Sequence, residues 1–451
     1  MAAQRIVAAV QAQDPVAYAA AGQDLVGALP AAGPDDIRPA LARLAPVLSG
    51  ISLERGSGLA QVVGGMAWQV ADTSPVLGVL VNRACEAMEG AARFLALHRE
   101  LLGDPPAPES TSAVPEVVDR FAAAAAASAA EPRKLAFAWF ASPDWVQPVL
   151  YLSQRADVRA ALPQRERLLS AVESIRENLD VANWLHGLLL VLDDAPLIVL
   201  HRQSGRGYRV TITGIGNNAQ LQTLLAARLI GEPEAGWLPG TPPSPDMTAA
   251  ADGSGPMQPP GGIVPQFSLA DLHGAWLPAV GRPADIPLVQ GERVIVLDPP
   301  SRETWGPGRV YPLMQPSLRA ERQLAPEDAA AWLAKAQPAQ GPPGEQLGWT
   351  DDMTIRLPPG RTAAEVVDLV LQAALRGTAA EEIELALARE FALNEDDANL
   401  ARDRTFGGLV RAATRNPANR PAPDKDPIAF ESFQRGEADR SLIARIYPEF
   451  A

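Results

Sequence analysis

The sequence predicts an α+β protein, mostly α: a helical N-terminal domain carrying a β-hairpin, a small β-rich module and a C-terminal helical segment. Three observations carry this. Residues 1–231 hold long stretches whose apolar residues recur every three or four positions. One stretch, 208–213, alternates with period two instead. Beyond residue 267 the chain breaks into short β-branched runs punctuated by Pro and Gly, then returns to helical sequence with readable caps.

The first domain is assigned to 1–231. Its opening, MAAQRIVAAVQAQDPVAYAAAGQDLVGAL, is apolar but interrupted by Arg5, Asp14 and Asp24. It reads as two helices parted at Asp14-Pro15, not as the apolar core of a secretory signal. The second of these covers 15–29, and further helices are predicted over 35–49, 58–71, 75–101, 114–131 and 164–190. The last shows the pattern best. Leu168, Val172, Ile175, Leu179, Ala182, Leu185 and Leu189 stack on one face, while Arg165, Glu166, Arg167, Glu173, Arg176 and Glu177 fall largely off it. The hairpin, 196–215, follows: APLIVLHR, the turn QSGRG, then YRVTITGI. Tyr208, Val210 and Ile212 share one face, Arg209, Thr211 and Thr213 the other. A helix begins after Asn217 or Asn218 as N-cap, and Gly231 lies just past its end.

Residues 232–266 hold nine prolines and six glycines with no apolar period, and read as a linker or long surface loop. The β-rich module, 267–357, contains DIPLVQ, GERVIVLDPP, GRVYPLM and MTIRLPPG, with a short helix from Pro326. The helical segment, 358–415, carries T-x-x-E boxes at Thr362/Glu365 and Thr378/Glu381, Gly377 as a stop and Asn394 as a third cap. Each such cap is worth about 1 kcal/mol. The tail, 416–451, reads as extended, ending in a short helix over 438–447.

A chain of 451 residues suits two or three domains, and 47% hydrophobic with 20% charged residues is a globular composition. The net charge of −14 disfavours nucleic acid and anionic membranes as partners. Three of the 39 basic residues are lysines, and this Arg bias resembles that of GC-rich bacterial genomes. Cys85 is the single cysteine, which excludes an intrachain disulfide and a Cys-rich zinc site. No stretch offers the ~18–20 uncharged apolar residues of a membrane span, so a cytoplasmic location is expected.

No P-loop, HExxH, CxxC or EF-hand pattern is present. GIGN at 214–217 follows a hairpin and lacks the third glycine of a dinucleotide fingerprint. The hairpin is the most suggestive stretch. His201, Arg202, Arg206 and Arg209 lie within nine residues without an acid, and Ser204, Gly205 and Gly207 allow a concave turn that can hold a phosphate or carboxylate. The alternative is a solvated tip whose arginines pair with acids elsewhere. Asp193 and Asp194 are candidates for a carboxylate–imidazole pair with His201, against an ordinary turn before Pro196. His98, His186 and His273 are scattered, and no metal site is expected. In DPPSRETWGPGR, Arg302, Trp305 and Arg309 form a second candidate ligand or partner surface; the alternative is a Trp folded back as a lid.

The stretches LLLVLDDAPLIVLHRQSGRGYRVTITGIGNNAQLQTLLA, GERVIVLDPPSRETWGPGRVYPLM and RTFGGLVRAATRNPANRPAPDKDP are similar to a large family of bacterial proteins of unassigned function, over about a quarter of the chain. The resemblance implies acidic and His-containing variants at 217–222, where this chain has NNAQLQ, and it implies no activity. The expectation is therefore a non-catalytic, cofactor-free protein- or peptide-binding or scaffold protein of the bacterial cytoplasm, with homo-oligomerisation left open. The alternative is an enzyme or small-anion binder using the hairpin arginines with Asp193, Asp194 and His201.

Overall fold

The computed structural model describes residues 1–109, 114–259, 265–300, 308–339, 357 and, with gaps, 365–405. The chain is α+β and mostly helical, and it divides into two units. One is Met1–Val191 with Leu313–Gln315; the other is Leu192–Pro312 with Pro316–Ala451.

The first unit is all helix: α1 (Ala2–Gln11), α2 (Pro15–Ala28), α3 (Pro34–Gly50), α4 (Leu53–Trp68), α5 (Ser74–Leu102), α6 (Val114–Ala124), α7 (Pro132–Leu152), α8 (Ala156–Ala161), α9 (Arg165–Glu173) and α10 (Asp180–Leu189). The break between α1 and α2 falls at Asp14-Pro15. Asp14 accepts the N–H groups of Val16 and Ala17 at 3.0 Å, and Pro15, which has no N–H to lose, opens α2. Helix α5 is the axis of the unit, with Val76, Leu80, Ala84, Met88, Ala91 and Leu95 all buried.

Helix α7 was not among the predicted helices, and it holds two prolines, Pro143 and Pro148, a residue that ordinarily breaks a helix. Pro148 is instead a packing residue. A Cβ on Gly64 of α4 would lie 2.7 Å from the Pro148 Cβ, so a glycine is what lets the two helices approach. The helix predicted over 164–190 is two helices. Ser174 closes α9 by bonding its hydroxyl to the Ala171 carbonyl at 2.7 Å, and residues 174–179 turn the chain. The apolar stripe survives the break: Leu168, Val172, Ile175, Leu179, Leu185 and Leu189 are all buried. The helix predicted over 114–131 ends at Ala124, where the alanine run becomes turn.

The second unit is built on one mixed sheet. Its strands are β1 (Ala195–His201), β2 (Arg206–Thr213), β3 (Ser268–Asp271), β4 (Leu288–Val289), β5 (Glu292–Asp298) and β6 (Ser317–Gln323), in the order β3-β5-β1-β2-β6 with β4 added to β5. Strands β1 and β5 are parallel, and the other pairs are antiparallel. This corrects the domain boundary at 231. The hairpin pairs with β5 on one side and β6 on the other, so the unit begins at Leu192 and the supposed β-rich module is completed by the hairpin. Both faces are covered. Leu197, Val199, Val210, Ile212, Ile295 and Leu297 pack with Leu221 and Leu225 of α11 (Asn218–Leu229). Ile198, Leu200, Val294 and Val296 pack with Leu324 and with Ala329 of α13 (Pro326–Leu333).

Asn217 caps α11 by accepting the Gln220 N–H at 2.7 Å. Within the segment expected to be a linker, residues 232–259 carry defined structure. Ser244 caps α12 (Pro245–Asp252), Ile230 bridges to Leu238, and the Tyr208 hydroxyl donates to the Gly236 carbonyl at 2.7 Å. Residues 308–314 are not strand, and Leu313–Gln315 belong with the helical unit. Farther on, helix Ala380–Phe391 joins an apolar cluster with Val366, Val370 and Leu393. It has no side-chain cap, so the Thr378/Glu381 box does not form, whereas Asn394 accepts the Asp397 N–H at 2.8 Å. Thr362, Gly377 and the tail 416–451 lie outside the described residues. Among the described residues no helix is long and apolar enough to cross a membrane.

Candidate functional site

Strand β1 fixes the geometry of the hairpin candidates. Asp193 and Asp194 precede it and His201 ends it. Seven residues at about 3.3 Å each put them roughly 20 Å apart, so no carboxylate–imidazole pair forms between them. Asp194 sits at φ 48° and donates its N–H to Thr213 Oγ1 at 3.0 Å, an ordinary strand-entry turn. His201 is buried. Its Nδ1 lies 2.8 Å from Ser204 Oγ and accepts the Ser204 N–H at 3.3 Å, which places the neutral ring's proton on Nε2. Phe267 packs edge-on at 5.7 Å. Burial lowers the His201 pKa; the Asp298 charge opposes this and Arg206 adds to it.

The three hairpin arginines do not converge. Arg202 pairs with Asp298 (Nε–Oδ1, 2.8 Å) and donates to the Gln337 carbonyl at 3.0 Å. Arg206 donates to the carbonyls of Trp237 and, at 2.7 Å, Pro233. It thereby ties down the loop whose Trp237 stacks on Tyr208. Arg209 forms a bidentate pair with Glu292, at 2.7 and 3.3 Å. Each guanidinium is thus spent inside the fold, on partners 27 to 135 residues away.

In the second candidate cluster, Arg302 and Trp305 lie outside the described residues. Arg309 is buried, with its own N–H on the Met257 carbonyl (3.2 Å) and its guanidinium on the Gly255 carbonyl (2.9 Å). It holds 255–258 against the start of α11, where Asn217 Nδ2 donates to the Gly308 carbonyl at 3.0 Å. The first α11 amides are taken by Gly281 and Ala279 carbonyls, which leaves no anion cradle there. Cys85 is buried, and its thiol is pushed up to about 11 by burial, so it is a packing residue. His98 lies against Phe94 and Phe121, with Nδ1 2.6 Å from the Gly103 carbonyl. Among the described residues no three His, Cys, Asp or Glu converge as metal ligands.

The unspent surface lies in the helical unit. Helix α2, PVAYAAAGQDLVGA, is apolar on nearly every side, the pattern of a buried helix. Yet only Ala21 and Leu25 are buried, and Val16 and Val26 stand 78% and 50% exposed. Beside it runs a groove of about 540 Å³ between α1, α2 and α4. Ile6, Leu25 and Leu59 form its floor, Tyr18, Val26 and Val62 its walls. Gly22, Gly27 and Gly58 line it too, and a Cβ on any of them would meet nothing within 4 Å. Tyr18 donates to the Arg55 carbonyl at 3.1 Å, and burial raises its pKa. A second groove, of about 610 Å³, runs between α9 and α10, where His186 Nε2 meets Glu173 Oε2 at 3.1 Å. His186 is therefore a largely buried residue at a groove edge, facing an acid.

Reading by motif missed the α2 groove, because it contains no chemistry-bearing pattern. The signal that could have found it is the apolar 15–29 run, which lacks the polar face a surface helix normally shows. No protein-family model, curated protein or solved structure matches the chain.

Proposed function

We propose that this chain is a non-catalytic binding or scaffold protein that takes a helical apolar segment of another protein into the α1–α2–α4 groove. It would act in the bacterial cytoplasm, without a nucleic-acid or membrane partner. One observation supports the reading most: a helix with a buried-type composition lies exposed beside an apolar groove with a glycine-lined wall. Apolar grooves that receive helices are a recurring recognition mode, and glycines permit close helix approach. The hairpin offers no comparable surface, because its arginines are occupied.

The test is site-specific photo-crosslinking in cells. A photoreactive residue at Val26 should yield a defined adduct, and the same residue at Val280, 56% exposed on the other unit, should not. Adding Gly58→Leu should remove the Val26 adduct. An adduct that is absent, unaffected by Gly58→Leu, or equal at Val280 would reject the reading.

A further inference from the structure

Resting on that reading, we infer that the segment bound in the α1–α2–α4 groove is an apolar helix bearing a carboxylate, recognised by Arg55. The groove is lined by one charged side chain, Arg55. Among the described residues its guanidinium makes no ion pair or hydrogen bond, unlike the hairpin arginines. The charges on α1 and α2 are engaged with each other: Arg5 and Asp24 pair at 2.7 Å. Glu54, the neighbouring acid, is exposed and does not line the groove.

Arg55 sits in the first turn of α4, three residues after the cap Ser52, whose hydroxyl accepts its N–H at 3.4 Å. A cation there adds to the partial positive charge of the helix start, where an anion is favoured. The apolar groove thus has one positively charged end, on a protein of net charge −14. A helix that lays apolar residues along Leu25, Leu59 and Val62 and presents a Glu or Asp at that end satisfies both surfaces.

The probes are three synthetic 15-residue Ala/Leu helices that differ at one central position, Glu, Gln or Lys. Their binding to the full chain is followed by fluorescence anisotropy. The Glu helix should bind about tenfold tighter than the Gln helix, with the Lys helix weakest. Arg55→Glu should invert that order, and Gly58→Leu should abolish binding of all three while leaving the thermal melt intact. If Glu and Gln helices bind equally and both are lost in Gly58→Leu, the carboxylate inference is overturned while the groove reading stands. If no helix binds and sedimentation shows a dimer dispersed by Gly58→Leu, a second copy is the occupant and the inference is overturned. If no helix binds and the chain is monomeric, both readings are overturned.

Discussion

The hairpin and the α2–α4 groove make opposite use of their residues. The hairpin carries the densest cluster of chemistry-bearing side chains in the sequence, and the fold consumes all of them. Arg202, just past β1, and Arg209 of β2 pair with the acids at the two ends of β5, Asp298 and Glu292, and Arg206 straps down 233–237. The groove is lined mainly by Ala, Gly, Leu and Val, and the fold leaves it open. The lesson is physical. A guanidinium in a folded chain meets carbonyls and carboxylates wherever it turns, so a cluster of arginines is more readily a set of internal fasteners than a vacant site. Apolar surface that stays exposed has no such internal partner, and it is the more informative anomaly.

The widest separation between the two regions should appear in truncations. Leu200 of β1 is fully buried between the sheet and the α13 side, so Leu200→Ala should cost about 2–5 kcal/mol in a denaturant melt. Val26→Ala, at the groove wall, should change stability by under about 0.5 kcal/mol. A costly Val26→Ala would mean that α2 is covered by something and would break the comparison.

Arg206→Met comes next. It removes two donations to carbonyls from a partly solvated side chain, worth about 1–2 kcal/mol together. Limited proteolysis should then cut first within 232–240, now unstrapped. If Arg206→Met instead leaves stability unchanged and weakens phosphate binding, the hairpin is an anion site after all.

These partners explain how much could be read in advance. Local features were legible: the Asp14 break, the Asn217 and Asn394 caps, the alternation through Tyr208, Val210 and Ile212, and the buried stripe from Leu168 to Leu189. Non-local features were not. Parallel pairing of Leu197–His201 with Arg293–Leu297 spans nearly a hundred residues and has no local signature. Nor does the Pro148–Gly64 contact that turns an apparent breaker into a packing residue. The same holds at the site: the hairpin's arginines were visible, their partners were not.

A pH titration sharpens the hairpin side. Burial lowers the His201 pKa below its ordinary value near 6.5, so the folded chain binds this proton less readily than the unfolded chain. His201 therefore contributes no pH dependence above about 6.5. As pH falls below that value the unfolded state takes up the proton first, and stability declines until the folded-state pKa is reached. His201→Gln should flatten this part of the stability–pH curve. A mutant curve parallel to wild type from neutral pH down to about 4 would show that His201 is not a desolvated neutral ring.

The smallest effect is a comparison within one helix. Gly58 and Gly64 both lie in α4, six residues apart. Gly64 faces Pro148 of α7, and a new Cβ would meet that ring at 2.7 Å and its Cα at 3.2 Å. Gly58 faces the groove, where a new Cβ would meet nothing within 4 Å. Alanine at either position gains the same helix propensity, about 0.5–1 kcal/mol over glycine. Only at Gly64 must that gain be set against overpacking, about 1–3 kcal/mol. Gly58→Ala should therefore raise stability by about 0.5–1 kcal/mol and Gly64→Ala should lower it, by thermal or denaturant melting. The sign of Gly58→Ala is the decisive measurement. A loss there would mean that the groove is closed in the free protein, leaving no room for a docked helix; a gain leaves it open.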